Sequence, residues 1–135
     1  MEQRSTPITQ LMTVGVLTVP EDALVADAAA ALLEEEVGSL VVVDGDDRPT
    51  GMFTTTDLAD FVAARSGDDA RVAEYMTEEV VTVGTQQSLR EAAAKMMRHG
   101  IHHLPVTDEE GDVVGMLSTM DLTAHYSYTG GSDMV

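Results

Sequence analysis

The sequence predicts an α+β fold built from two βαββα units related by a pseudo-twofold axis. Three observations point there. Set against itself at an offset of 64 residues, the chain aligns without a gap and places Met12 on Met76, Val19 on Val83, Gly51 on Gly115 and Asp57 on Asp121. Within each copy, short β-branched runs alternate with an apolar stripe of helical period. An Asp/Gly-rich turn then separates the last two strands, as a tight hairpin requires. Two copies suit a pseudo-symmetric pair, because a solenoid needs three or more repeats. A lone unit of about 60 residues buries only about 60% of its unfolded surface, so the halves are expected to share their stability.

The elements follow in order. Residues 16–19 (VLTV) and 80–83 (VVTV) read as brief strands closed by Pro20 and Gly84. In the second copy Ser88 and Glu91 form a capping box, and Leu89, Ala92, Ala93, Met96 and Met97 make a stripe that Gly100 ends. The matching helix runs from about Val25 to Glu36 through Ala28, Ala29, Leu32 and Leu33. It starts more weakly, with Leu24 at the cap position and Glu36 where Gly100 would stand. Strands are then predicted over 40–43 and 49–54, and over 104–107 and 112–118, around the turns DGDDR and DEEGD. Helices from about Thr55 to Ala64 and from about Thr119 to Tyr126 close the units. The predicted boundaries are 1–66 for the first repeat, 67–126 for the second and 127–135 for a flexible tail.

The chain has 135 residues, 44% of them apolar, which suffices for a packed core. No apolar run approaches the length of a membrane span, and no signal core follows Arg4, so a soluble cytoplasmic protein is expected. Cysteine is absent, which removes disulfides and thiolate metal sites. With 24 acidic against 7 basic side chains, the formal charge is -17. Such a field repels nucleic acid and anionic lipid. The carboxylates are spread along the chain, the pattern of a solvated surface suited to a salt-rich cytosol. At about 1 M salt the screening length is roughly 3 Å, and most of the self-repulsion disappears.

Each copy carries one phrase in which chemistry could reside, GMFTTTDL at 51–58 and GMLSTMDL at 115–122. A hydroxyl and a carboxylate stand three residues apart in both, Thr54 with Asp57 and Ser118 with Asp121. That spacing admits two readings. It is the pattern of a helix capping box. It also offers a carboxylate to a ribose diol and a hydroxyl beside free backbone N–H groups to a phosphate. The hydroxyl can cap while the carboxylate turns to a ligand.

Taken together, Met12 and Met76 ahead of the TV strands, the Ala-rich helices, GIHHLPVTD at 100–108 and the two phrases ending in Asp-Leu resemble a tandem pair of CBS domains, a Bateman module, over about residues 8–126. The resemblance implies units packed through their sheets, with two clefts between them for adenosine-containing ligands such as AMP, ADP, ATP, NAD or S-adenosylmethionine. It further implies that Asp57 and Asp121 hold ribose while Thr54 and Ser118 lie near phosphate. His102 and His103 would serve the Asp57 cleft, whereas Gly38 and Ser39 would serve the Asp121 cleft. Val16, Leu17, Val80 and Val81 complete the candidate set. His stands where Arg is frequent in that family, and basic side chains are few, which favours a ligand less anionic than a triphosphate. Imidazoles titrating near pH 6.5 would make phosphate binding strengthen as pH falls.

His99, His102 and His103 cannot readily make a three-ligand metal site. Gly100 interrupts their spacing, and adjacent strand residues face opposite ways. Ser118, Asp121 and a histidine supply the residue types of a triad, but the cap and ligand readings explain them better, so no enzyme and no required cofactor are expected. The sequence thus leads to a regulatory module that senses an adenosyl ligand and signals through a homodimer or a partner protein. A ligand-free structural or oligomerisation module is the rival reading.

Overall fold

The computed structural model describes residues 6–78 and 80–129. They form two compact units, one within residues 16–80 and one joining the described residues before 16 to those after 80. In the first unit, β1 (Thr18–Pro20), α2 (Val25–Glu35), β2 (Ser39–Val43), β3 (Pro49–Thr54) and α3 (Thr55–Ala64) follow α1 (Ile8–Leu11) in chain order, and α4 (Val72–Tyr75) ends it. The second unit holds α1, β4 (Val83–Gly84), α5 (Leu89–His99), β5 (His103–Thr107), β6 (Val113–Ser118) and α6 (Thr119–Thr129). Each sheet has three strands, with a parallel pair and then an antiparallel pair: β1-β2-β3 and β4-β5-β6. The α+β fold and the βαββα order stand as predicted. Even the register shift recurs, between Val42 and Val43 and between Val106 and Thr107.

Burial explains the stripes. Val25, Ala28 and Leu32 of α2 pack on Leu40, Val42 and Phe53 of the sheet, while Leu89, Ala92 and Met96 of α5 pack on Leu104, Val106 and Leu117. The hairpin turns are built alike. Asp44 accepts from the Asp46 and Arg48 N–H groups at 2.8 and 3.0 Å, and Asp108 from those of Glu110 and Asp112 at 2.9 and 3.0 Å. Those backbone donors, Arg48 N–H foremost, hold the Asp44 carboxyl below its ordinary range.

The compact units do not follow the repeat boundaries at 66 and 67. Ile8 of α1 is fully buried in the core of the second repeat, and Val72, its counterpart 64 residues on, is fully buried in that of the first. Thr13 exchanges two backbone hydrogen bonds with Met116 at 2.9 Å each, and Thr77 does the same with Met52 at 2.8 and 2.9 Å. The physical reason is an unpaired edge. β3 and β6 each present N–H and C=O groups that an incoming Met-Thr segment satisfies. Gly51 and Gly115 make the approach possible, since a Cβ there would meet the side chains of Met76 and Met12.

The predicted strands at 16–19 and 80–83 shrink to Thr18–Pro20 and Val83–Gly84, because only these positions pair with β2 and β5. Of the expected tail at 127–135, residues 127–129 continue α6, and residues 130–135 lie outside the described part. Among the described residues, no helix is long and apolar enough to cross a membrane.

Candidate functional site

The phrases GMFTTTDL and GMLSTMDL each turn from a strand into a helix, β3 into α3 and β6 into α6. At both corners the cap reading holds. Asp57 N–H donates to Thr54 Oγ1 at 3.4 Å while Thr54 N–H donates to Asp57 Oδ2 at 2.9 Å. Asp121 N–H donates to Ser118 Oγ at 3.1 Å, and Ser118 N–H to Asp121 Oδ2 at 2.8 Å. These reciprocal bonds satisfy donors that a helix start leaves orphaned.

Each box places one N–H donor on the Oδ2 of its carboxylate and leaves Oδ1 outside the box. There the corners differ. Asp57 is 6% exposed, and its Oδ1 accepts from the Thr77 hydroxyl at 3.3 Å. Thr54 Oγ1 lies 3.2 Å from Oδ2 as a further donor. Asp121 is only half-buried, and among the described residues no hydrogen bond reaches its Oδ1.

Residues predicted from both repeats gather around these corners. In the unit of residues 16–80, Ser39 is buried and faces Thr54 across β2 and β3, and the Gly38 carbonyl accepts from Thr55 N–H at 3.2 Å. In the other unit His103 faces Ser118 across β5 and β6, and the His102 carbonyl accepts from Thr119 N–H at 3.0 Å. Each unit therefore joins its own pair to its own phrase: Gly38 and Ser39 to Thr54 and Asp57, and His102 and His103 to Ser118 and Asp121. His102 is exposed and His103 half-buried. Burial, followed by the charge of His102, lowers the His103 pKa below its ordinary value, and Asp121 opposes them. His103 is thus neutral at pH 7.

Val16, Leu17, Val80 and Val81 are all partly buried and lie outside regular strands. The Leu17 carbonyl accepts from Val41 N–H at 3.1 Å, and Val81 packs against the core of its unit. Two residues near the site carry contacts that the sequence reading did not assign. Thr77 is one; its match to Thr13 marked it as part of the repeat but not as a partner of Asp57. The other is Lys95, whose Nζ donates to the Thr82 carbonyl at 2.6 Å and anchors the segment after Val81.

His99, His102 and His103 do not converge. Among the described residues, metal-ligand spacing is found at Asp108, Glu110 and Asp112 in the β5–β6 turn, where Asp108 already serves the backbone. Ser118 Oγ is used as a cap acceptor, and no imidazole is hydrogen-bonded to it among the described residues.

The profile of one family, the CBS domain, matches residues 8–64 and again residues 72–128. Homoserine O-acetyltransferase of Methanocorpusculum labreanum is 38% identical over 120 residues, covering 87% of this chain but 24% of that protein. The chain thus spans about a quarter of that relative's length. An uncharacterized 17.7 kDa protein of Acidianus ambivalens is 32% identical over 118 residues, covering 87% of this chain and 71% of the other. Among solved structures, a CBS domain protein from Pyrobaculum aerophilum complexed with AMP superposes with a TM-score of 0.81 at 29% identity, over 87% of this chain and 90% of that one.

Proposed function

Because the chain belongs to the CBS domain family and carries the domain twice, we propose that it is a regulatory module whose effector is an adenosine-containing ligand, with AMP the first candidate. The observation that carries this reading is a helix-start carboxylate that accepts one N–H from its cap and keeps acceptor capacity for a ribose diol. The AMP complex of the Pyrobaculum protein supports the choice of ligand. The contacts are assigned to Thr54, Asp57, Ser118 and Asp121, with Gly38, Ser39, His102 and His103 beside them, and to the segments Val16–Leu17 and Val80–Val81. AMP, ADP, ATP, NAD and S-adenosylmethionine are the candidate class. Few basic side chains favour its less anionic members.

The module binds and does not catalyse, and it needs no cofactor. The acetyltransferase relatives share only the segment that this chain matches, so their activity is not carried over. Its signal passes through a homodimer or a partner protein. Large apolar side chains are exposed at equivalent places in both repeats: Leu33 and Met97 at 80% and 82%, Val62 and Tyr126 at 65% and 50%. Recurrence at matched positions suits a second copy of the chain. Leu33→Glu with Met97→Glu should convert a dimer into a monomer in analytical ultracentrifugation.

A cytoplasm rich in salt fits the charge of -17. The melting temperature should then rise between 0.1 and 2 M KCl, and a flat response would remove the halophilic reading. Titration calorimetry in 2 M KCl with AMP, ATP, NAD and S-adenosylmethionine tests the ligand. Silence from all four favours the second reading, a ligand-free structural module, to which the completeness of both capping boxes lends weight.

A further inference from the structure

The two carboxylates differ in how much hydrogen-bonding capacity they retain. An ionised carboxylate offers about four lone-pair sites. Asp57 receives three donors from its own unit: Thr54 N–H, Thr54 Oγ1 and Thr77 Oγ1. Asp121 receives one from the described residues, Ser118 N–H. A ribose cis-diol brings two donors, so it fits on Asp121 and exceeds what Asp57 has left.

The decisive donor is Thr77. Its backbone is pinned to Met52 by two hydrogen bonds, which holds its hydroxyl against Asp57 Oδ1. Thr13 is pinned to Met116 in the same way, yet among the described residues its hydroxyl makes no hydrogen bond to Asp121. Identical residues at matched positions therefore leave one carboxylate closed and the other open.

We propose that Thr77 is an occupancy-determining residue: it keeps Asp57 in a closed hydrogen-bond set, so a diol-bearing ligand binds first and more tightly at Asp121. A ligand reaches Asp57 only by displacing the Thr77 hydroxyl. This rests on the adenosine-ligand reading above and adds a second inequality to the one expected from His102 and His103.

Calorimetry with AMP as the probe, in 2 M KCl, tests it on wild type, Asp121→Asn and Thr77→Val, with circular dichroism verifying the fold of each. Wild type should show one tight site. Asp121→Asn should weaken that site at least tenfold. Thr77→Val, close in shape but without the hydroxyl, should strengthen a second site by about tenfold, the size of a charge-assisted hydrogen bond released from competition. 2′-Deoxy-AMP should lose most of the tight binding. Two equal sites in wild type, a tight site unchanged in Asp121→Asn, or a Thr77→Val titration identical to wild type would overturn the role of Thr77 while leaving adenosine binding intact. Absence of AMP heat from wild type and from Thr77→Val alike would sink both.

Discussion

Helices α2 and α5 occupy equivalent places in the two repeats, yet their ends are built differently. Ser88 and Glu91 cap the start of α5, and Gly100 ends it at φ 63. Leu24 gives α2 no side-chain cap, and Glu36 adopts the left-handed conformation at φ 56 where glycine would be unstrained. Both helices are eleven residues long all the same. The difference teaches that burial of Val25, Ala28 and Leu32 fixes α2 without help from its ends, so tertiary packing can replace local signals. The same inequality reappears at the two strand-to-helix corners, where Asp57 accepts three donors and Asp121 one.

The comparison is most sharply tested at the carboxylates. Asp57→Ala strips a buried acceptor from three donors and should destabilise by about 2 to 3 kcal/mol, whereas Asp121→Ala, losing mainly a cap, should cost about 1 kcal/mol. Equal urea midpoints for the two variants would contradict the closed and open assignment. Next come the glycines. A Cβ at Gly51 would stand 2.9 Å from the Thr77 carbonyl oxygen, a backbone atom, and 2.7 Å from Met76 Sδ. At Gly115 the three nearest atoms all belong to the Met12 side chain, which can move. Gly51→Ala should therefore cost about 1 to 3 kcal/mol and more than Gly115→Ala, measured by thermal denaturation.

The helix ends give a smaller effect of opposite sign. Gly100→Ala should destabilise by about 1 kcal/mol, and Glu36→Gly should stabilise by up to about 1 kcal/mol, because one substitution creates left-handed strain and the other relieves it. The smallest effect belongs to pH. His103 takes up its proton at lower pH in the folded chain than in the unfolded one, so the unfolded state binds more protons near and below pH 6.5. Its contribution is present above that pH and is lost as pH falls toward the folded value. His103→Gln should flatten that part of a stability-against-pH curve. Phosphate binding assisted by His103 should likewise strengthen only below the usual histidine range.

Much of this was legible in the letters. β2, β3, β5 and β6 announced themselves because β-branched runs flanked Asp-rich turns, and α5 because its stripe had a cap at each end. The helices α1 and α4 escaped, since four residues are too few to display a period. The exchange of Ile8 and Val72 between cores was hidden for another reason. An offset of 64 residues says that two segments are alike, not which sheet edge each will complete. At the site, spacing located Thr54 with Asp57 and Ser118 with Asp121 but could not choose between cap and ligand, and both corners turn out to be capped. What separates them is the contact from Thr77 to Asp57, made across 20 residues and through a hydroxyl that repeats unchanged at Thr13.

The crossing of the two Met-Thr segments also orders the assembly of the chain. During synthesis the unit of residues 16–80 has all its strands, its core and its edge strip in one continuous stretch, so it can close as soon as Thr77 is available. The other unit must join Thr13 to Met116, closing a loop of about a hundred residues. Its Thr13 strip precedes the rest of the unit in the chain and pairs only once Met116 has been made. The first repeat should thus mature early as a local fold, and the repeat with the open carboxylate should be completed only when the Thr13 segment returns to it.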